Sequence, residues 1–320
     1  MHRFLQNLHA PDSAAALTAW LQAPRDENCR CYAIADMSIL EARALRSLER
    51  LSAPSAPLLD GSRYAAYGEL GPRLVPLVDF DASAMARFIG IADGLPALSF
   101  VEIETSNGMP DRATLLWLAD ARTSDGLHLY CRFPDTRVLV SVLRVLDRAQ
   151  IARLGQSVRR WAWLGRDGKF QCRDFTGVTA EKLAGGGAAI EFSDQQFAAL
   201  VQAAECDVLY QRLLEVAPEL IPDSSPFDTF TRLEALLHLA RGYGVTEAPD
   251  QLQFVTVAWS SSERFHELAC LSATWTATRS GSKSFSMAVA EWSDRQWDEI
   301  EATTSRSTGP SSLASSLQIT

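Results

Sequence analysis

The sequence predicts an α/β (α+β) N-terminal lobe with a mixed sheet, followed by an all-α C-terminal lobe. Three observations carry that expectation. Up to about residue 178, short apolar runs alternate with segments of helical period. Beyond residue 190 the period is helical almost throughout. Between the two lies "AGGGAA", where three consecutive glycines raise backbone entropy and mark a loop or linker. The expected division is 1–178, 190–302, and a Ser/Thr-rich tail, 303–320, expected to be disordered. A length of 320 residues suits two domains.

The N-terminal elements follow in order. "CYAIAD" (31–36) is an apolar run ending in a polar residue and reads as a strand. "SILEARALRSLERL" (38–51) carries Leu40, Leu45, Leu48 and Leu51 at helical spacing, with Ser38 and Glu41 as a capping box. "LVPLVDF" (74–80) reads as a strand, and Pro76 suggests an edge or a bulge. "SAMARFIGIA" reads as a helix and "LSFVEIE" (98–104) as an alternating strand. "PDRATLLWLADAR" suggests a helix started by Pro110. "LHLYCRF" (127–133) is a strand, followed by the helix "TRVLVSVLRVLD". "VRRWAWLGRDGKFQCRDF" reads as a hairpin turning at Arg166–Lys169, where Asp-Gly is the turn signal.

The C-terminal half opens with "SDQQFAALVQAAECDVLYQRLLEVAPEL", a helix with Ser193 and Gln196 as its capping box. "FDTFTRLEALLHLARGYG" repeats the period and ends at Gly242 or Gly244. The segment 248–279 gives one or two further helices. "SFSMAVAEW" reads as a short strand, and "SDRQWDEIEA" as the last helix. "EFSDQQF" (191–197) echoes "EWSDRQW" (291–297). No wider repeat surrounds the pair, so both read as helix starts sharing a serine cap and an aromatic staple.

Composition narrows the function. The net charge of −9 argues against nucleic acid, whose binders rely on basic phosphate contacts, and against a polybasic membrane patch. No apolar segment reaches the length of a membrane span, and the N-terminal stretch does not read as a signal peptide. The expected location is cytoplasmic, with the six cysteines as reduced thiols. Cys29 and Cys31 form C-x-C with no second close pair, and the five histidines are scattered, so no metal site is expected. No G-x-S-x-G, phosphate loop, dinucleotide fingerprint or H-E-x-x-H is present. The reading is therefore no catalytic residues, no cofactor and no enzyme.

One stretch mixes charge into apolar surroundings: Arg132-Phe133-Pro134-Asp135-Thr136-Arg137. Asp135 sits where a strand ends and a helix begins. There it can cap the helix and favour its dipole, and Arg132 or Arg137 can pair with it. This reads as a structural junction.

Several motifs occur in one order and resemble a bacterial family. Tyr32, Ala33, Ile34 and Asp36 match an opening strand. Gly71, Pro72, Leu74, Val75 and Leu77 match a "G-P-x-L-V-x-L" element. Arg132, Phe133, Asp135, Arg137, Val138 and Leu139 match an "R-[FWY]-x-D-P-R-V-L" junction, and Trp161 and Trp163 form the aromatic strand after it. The chain departs from the pattern in having Thr136 where the family's proline stands, with Pro134 upstream. The family is that of the adaptors or chaperones of type VI secretion effectors, and the resemblance covers roughly residues 30–165. It implies an adaptor without chemistry of its own that binds a cognate secreted effector in the cytoplasm and hands it to the VgrG spike. The effector segment is expected in a cleft between the lobes, and Trp161, Trp163 and Tyr243 are the aromatic candidates for contact. An enzyme of unfamiliar type, with Cys131 or Asp135 in the cleft, and an immunity protein are the alternatives.

Overall fold

The computed structural model describes residues 3–40, 42–106, 108–177 and 188–307. The chain forms two compact units, Met1–Ala204 and Glu205–Thr320.

The first unit contains α1 (Ser13–Gln22), β1 (Cys29–Ala35), α2 (Ala42–Leu51), β2 (Ala56–Pro57), β3 (Arg73–Pro76), α3 (Ala82–Ile89), β4 (Leu98–Ser106) and β5 (Met109–Pro110). It continues with α4 (Ala113–Ala119), β6 (Asp120–Thr123), β7 (His128–Tyr130), α5 (Thr136–Val145), α6 (Arg148–Leu154), β8 (Val158–Leu164), β9 (Phe170–Asp174) and β10 (Ile190–Phe192). α7 (Asp194–Val216) crosses into the second unit. There follow α8 (Pro226–Gly242), α9 (Ala248–Ser260), α10 (Ser272–Arg279), α11 (Phe285–Ala290) and α12 (Asp294–Ser307). The expected α+β half and helical half are both present.

The main sheet runs β2-β3-β1-β4-β8-β9, antiparallel at every pairing, with β5 folded back on the end of β4. β1 and β4 lie at its centre. They pair from Cys29↔Glu104 to Ala35↔Leu98 and are buried on both faces, as their near-continuous apolar runs require. A smaller sheet, β10-β6-β7, contains a parallel pairing, β10 on β6. The main sheet separates two apolar cores. One holds Ile34, Val101, Phe133, Leu139, Trp161 and Phe175. The other holds Ala33, Phe88, Phe100, Leu17 and Met85.

Several local expectations change. α2 begins at Ala42, later than Ser38, because Ser38 donates its N–H and hydroxyl to Asp36; Glu41 lies outside the described residues. Pro110 belongs to β5, and α4 starts after Arg112 without a side-chain cap. β3 is an inner strand flanked by β2 and β1, and Pro76 is its last residue. The glycine run falls almost wholly on 178–187, outside the described residues, and the division between units lies at Ala204. That position has a physical reason. β10 returns to pair with β6, and Phe197 and Leu200 of α7 pack on the first core.

In the second unit, Phe254, Phe265, Trp275, Phe285 and Trp292 form an aromatic core; Trp275 stacks on Phe285 at 5.6 Å. "SFSMAVAEW", expected as a strand, is helix α11. Ser284 caps it by accepting from the Met287 N–H (3.2 Å), and buried Asp250 accepts from the Phe285 and Ser286 N–H groups at 2.9 and 3.0 Å. Phe285, Ala288, Val289 and Trp292 then face the core at helical spacing, while Met287 is exposed. The two echoed segments both form capping boxes. Ser193 N–H donates to Gln196 and Ser293 N–H to Gln296, each at 2.9 Å.

Candidate functional site

The strand–helix junction 132–137 is placed by the main sheet. The Thr136 N–H donates to the Pro96 carbonyl (3.0 Å), and the Asp36 N–H donates to the Ala97 carbonyl (2.9 Å). The end of β1, the residues entering β4 and the start of α5 are thereby held together. Beneath them Phe133 packs edge-on against Trp161 at 5.5 Å, both fully buried. The Trp161 indole N–H donates to Ser99 Oγ at 3.1 Å, so its one polar atom is satisfied.

Two ion pairs lie over this apolar base. Asp36, 3 % exposed, accepts from Arg132 Nε at 2.9 Å through one carboxylate oxygen. Its other oxygen accepts from the Ser38 N–H (3.0 Å) and hydroxyl (2.6 Å). Asp135, 1 % exposed, caps α5 by accepting from the Arg137 N–H at 3.0 Å. The same carboxylate takes Arg137 Nε at 3.0 Å and Nη2 at 2.7 Å, a bidentate fork. Arg137 in turn lies over the Phe4 ring, 4.8 Å from its centroid. Both carboxylates are desolvated, and both find full partners within the protein, as buried charge demands.

The sequence expected Asp135 to cap and an arginine to pair with it, and Arg137 does so. Arg132 was the other candidate and instead reaches Asp36, 96 positions away in the chain. That long-range pair had no local signal. Tyr32 lies in the core on the centre of the sheet, with its hydroxyl pKa raised by burial. Gly71 and Pro72 sit at the start of β3, where the Pro72 carbonyl accepts from the Leu58 N–H at 2.9 Å. A side chain at Gly71 would come within 3.2 Å of the Gly68 carbonyl.

Two of the three aromatic contact candidates, Trp161 and Trp163, need correction. Trp161 is fully buried, and Trp163 is buried with its indole N–H donating to Gln171 at 3.0 Å. Neither side chain presents the surface that a partner would touch; both pack the sheet. Tyr243 is half-buried, 4.6 Å from Trp275 and covered by the Arg279 guanidinium at 4.5 Å. Cys131, raised earlier as a reactive candidate, is buried and its thiol is pushed up to about 12, so it is a poor nucleophile.

A surface cluster that the sequence reading passed over lies in the same unit. Tyr64, Tyr67 and Tyr130 form a triad of rings with centroids 5.1–6.0 Å apart. The Tyr64 hydroxyl donates to Asp120 (3.2 Å) and to the Leu129 carbonyl (2.9 Å); burial and the Asp120 charge push its pKa up to about 12. Tyr130 is also raised, first by burial and then by the Asp36 carboxylate. The signal was present in "SRYAAYGELGP", but nothing local tied it to residue 130. Among the described residues, no group of three His, Cys, Asp or Glu side chains is placed to hold a metal ion, and no helix is long and apolar enough to cross a membrane.

Residues 31–153 match the family described as "Domain of unknown function (DUF4123)". That family is associated with type VI secretion effector adaptors. The matched span contains Tyr32, Asp36, Gly71, Pro72, Arg132, Asp135 and Arg137, and therefore both ion pairs of the junction; Trp161, Trp163 and Tyr243 lie outside it. No curated protein and no solved structure matches the chain.

Proposed function

We propose that this chain is a cytoplasmic adaptor or chaperone that binds a cognate secreted effector and helps load it onto the VgrG spike of a type VI secretion system. The observation that carries the reading is the family match over residues 31–153, which spans both ion pairs of the junction. The geometry supports a scaffold role for that junction. Asp36 and Asp135 are each satisfied inside the protein, so their carboxylates orient chain segments and are not presented to a substrate. A binding protein needs such rigid support beneath its contact surface.

The test is deletion of the gene in its host, followed by measurement of effector abundance and export. The proposal expects the effector encoded beside this gene to fall in abundance or to stay inside the cell. Normal accumulation and export of that effector would overturn it.

A further inference from the structure

A groove lies in the first unit. Its volume is about 400 Å³, and it is lined by Arg3, Ile39, Leu40, Arg43, Ala44, Ser47, Ile91 and Leu95. Ile39 and Leu40 are held by the Asp36 carbonyl, which accepts both N–H groups at 3.2 and 3.0 Å. Arg3 extends over the same Phe4 ring that Arg137 covers from the junction. Leu95 is held from one side by Gln6, which donates to its carbonyl at 3.3 Å. Local contacts thus fix the walls of an open groove that mixes aliphatic and cationic side chains.

Its charge is unusual for the chain. The protein carries a net −9, yet among the described residues no carboxylate lines the groove. Arg43, Arg46 and Arg50 follow one another along α2 at helical spacing and are exposed. None of them, nor Arg87 on α3, has a carboxylate partner among the described residues; Arg50 and Arg87 donate only to Ser47 and Ser83. The nearby described acids are engaged elsewhere: Glu49 by the Ser55 N–H and hydroxyl, and Asp93 by the His9 N–H.

We infer that this groove docks an acidic polypeptide segment of a partner protein, its aliphatic side chains entering between Leu40 and Leu95 and its carboxylates meeting the α2 arginines. The choice of occupant follows from shape and charge. The aliphatic lining is recessed, whereas a membrane surface needs apolar groups that protrude. Among the described residues no aromatic side chain lines the groove to stack a base, as single-stranded nucleic acid requires. An aliphatic trough flanked by cations suits an amphipathic acidic segment. The identification of that partner as the secreted effector rests on the adaptor reading; the chemistry of the groove does not.

The experiment titrates the full chain into two fluorescent peptides of about 18 residues, five helical turns. One has leucine at i, i+3 and i+7 among glutamates; the other has lysine for every glutamate. The acidic peptide should bind about tenfold or more tighter than the basic one, and its affinity should fall with salt. The variant Arg43→Glu/Arg46→Glu should lose about tenfold, since two exposed attractions become repulsions. Ala44→Trp, which fills the groove without changing charge, should also weaken binding while leaving the melting temperature near that of the parent. Equal affinity for both peptides overturns the inference, as does binding unchanged in both variants. Capture by anionic vesicles through the same arginines, without peptide binding, overturns it in favour of a lipid surface. Retention of effector capture by a chain that binds neither peptide retires the groove and leaves the adaptor reading in place.

Discussion

Replacing Asp135 by alanine removes one carboxylate that does two jobs. It caps α5 through the Arg137 N–H and it holds the Arg137 guanidinium by a two-bonded fork. Loss of a helix cap costs about 0.5–2 kcal/mol. Removing one member of a buried ion pair costs about 3–5 kcal/mol, because the other charge is left without a partner. Asp135 is 1 % exposed, but the Arg137 side chain retains 16 % of its surface and its contact with Phe4. Partial access to water lowers the second figure, and the two effects share one carboxylate, so they do not sum. The expected loss is about 3 kcal/mol for the first unit. Asp135→Asn keeps a neutral acceptor for the cap and should lose about 1–2 kcal/mol. Asp135→Ala/Arg137→Met removes the charge that lost its fork, retains apolar contact with Phe4, and should recover part of the alanine loss. Urea unfolding followed by tryptophan fluorescence reads this directly, since Trp161 packs on Phe133 immediately beneath the junction. A loss below about 1 kcal/mol for Asp135→Ala, or a double variant as unstable as the sum of the singles, would refute the account of a satisfied buried pair.

Four further outcomes are expected. Trp161→Ala should cost about 3–5 kcal/mol in the same assay, because a fully buried indole leaves a cavity in the centre of the sheet; a loss under 1 kcal/mol would contradict its core role. Gly168→Ala should destabilise by about 1–3 kcal/mol, since its φ is +76° and a Cβ would lie 2.1 Å from the Leu8 carbonyl oxygen; a neutral melting temperature would contradict that close approach. Brief alkylation of the native chain with peptide mapping should label exposed Cys172 first and spare buried Cys31 and Cys131, whose thiols burial pushes up to about 11 and about 12. His9 has its pKa lowered, by burial first, with Asp93 opposing. The unfolded state therefore binds the proton more readily, and stability should fall as pH drops below about 6.5; His9→Gln should flatten that fall, and an identical pH profile would count against it.

The elements were legible where one period dominated. β1, β4, the β8–β9 hairpin, α5, α7 and α8 all follow from their patterns. The reading of α11 as a strand shows how such a pattern misleads. Phe285, Met287 and Val289 alternate like strand residues, and the carboxylate that supports the start of the helix, Asp250, comes from 35 positions earlier. At the junction, the cap at Asp135 was readable because capping is local. The Arg132–Asp36 pair was not, because it depends on which strands are neighbours. Tryptophan count suggested contact residues, but burial is a property of the sheet: Trp161 and Trp163, two positions apart on β8, both face the first core, while Ala162 and Leu164 face the second. The groove between Leu40 and Leu95 had no signal in the sequence. Its walls come from residues 3, 39, 40, 43, 44, 47, 91 and 95, which only the folded unit brings together.

The central claim is that this chain holds a secreted effector. Its most direct test is affinity capture of the tagged protein from its own host, with the eluted partners identified and their stoichiometry measured. The account predicts one effector, encoded beside this gene, in near-equimolar amount, with the spike protein recovered when the effector is present. Elution of the chain alone, together with normal export of that effector from cells lacking it, would contradict the account.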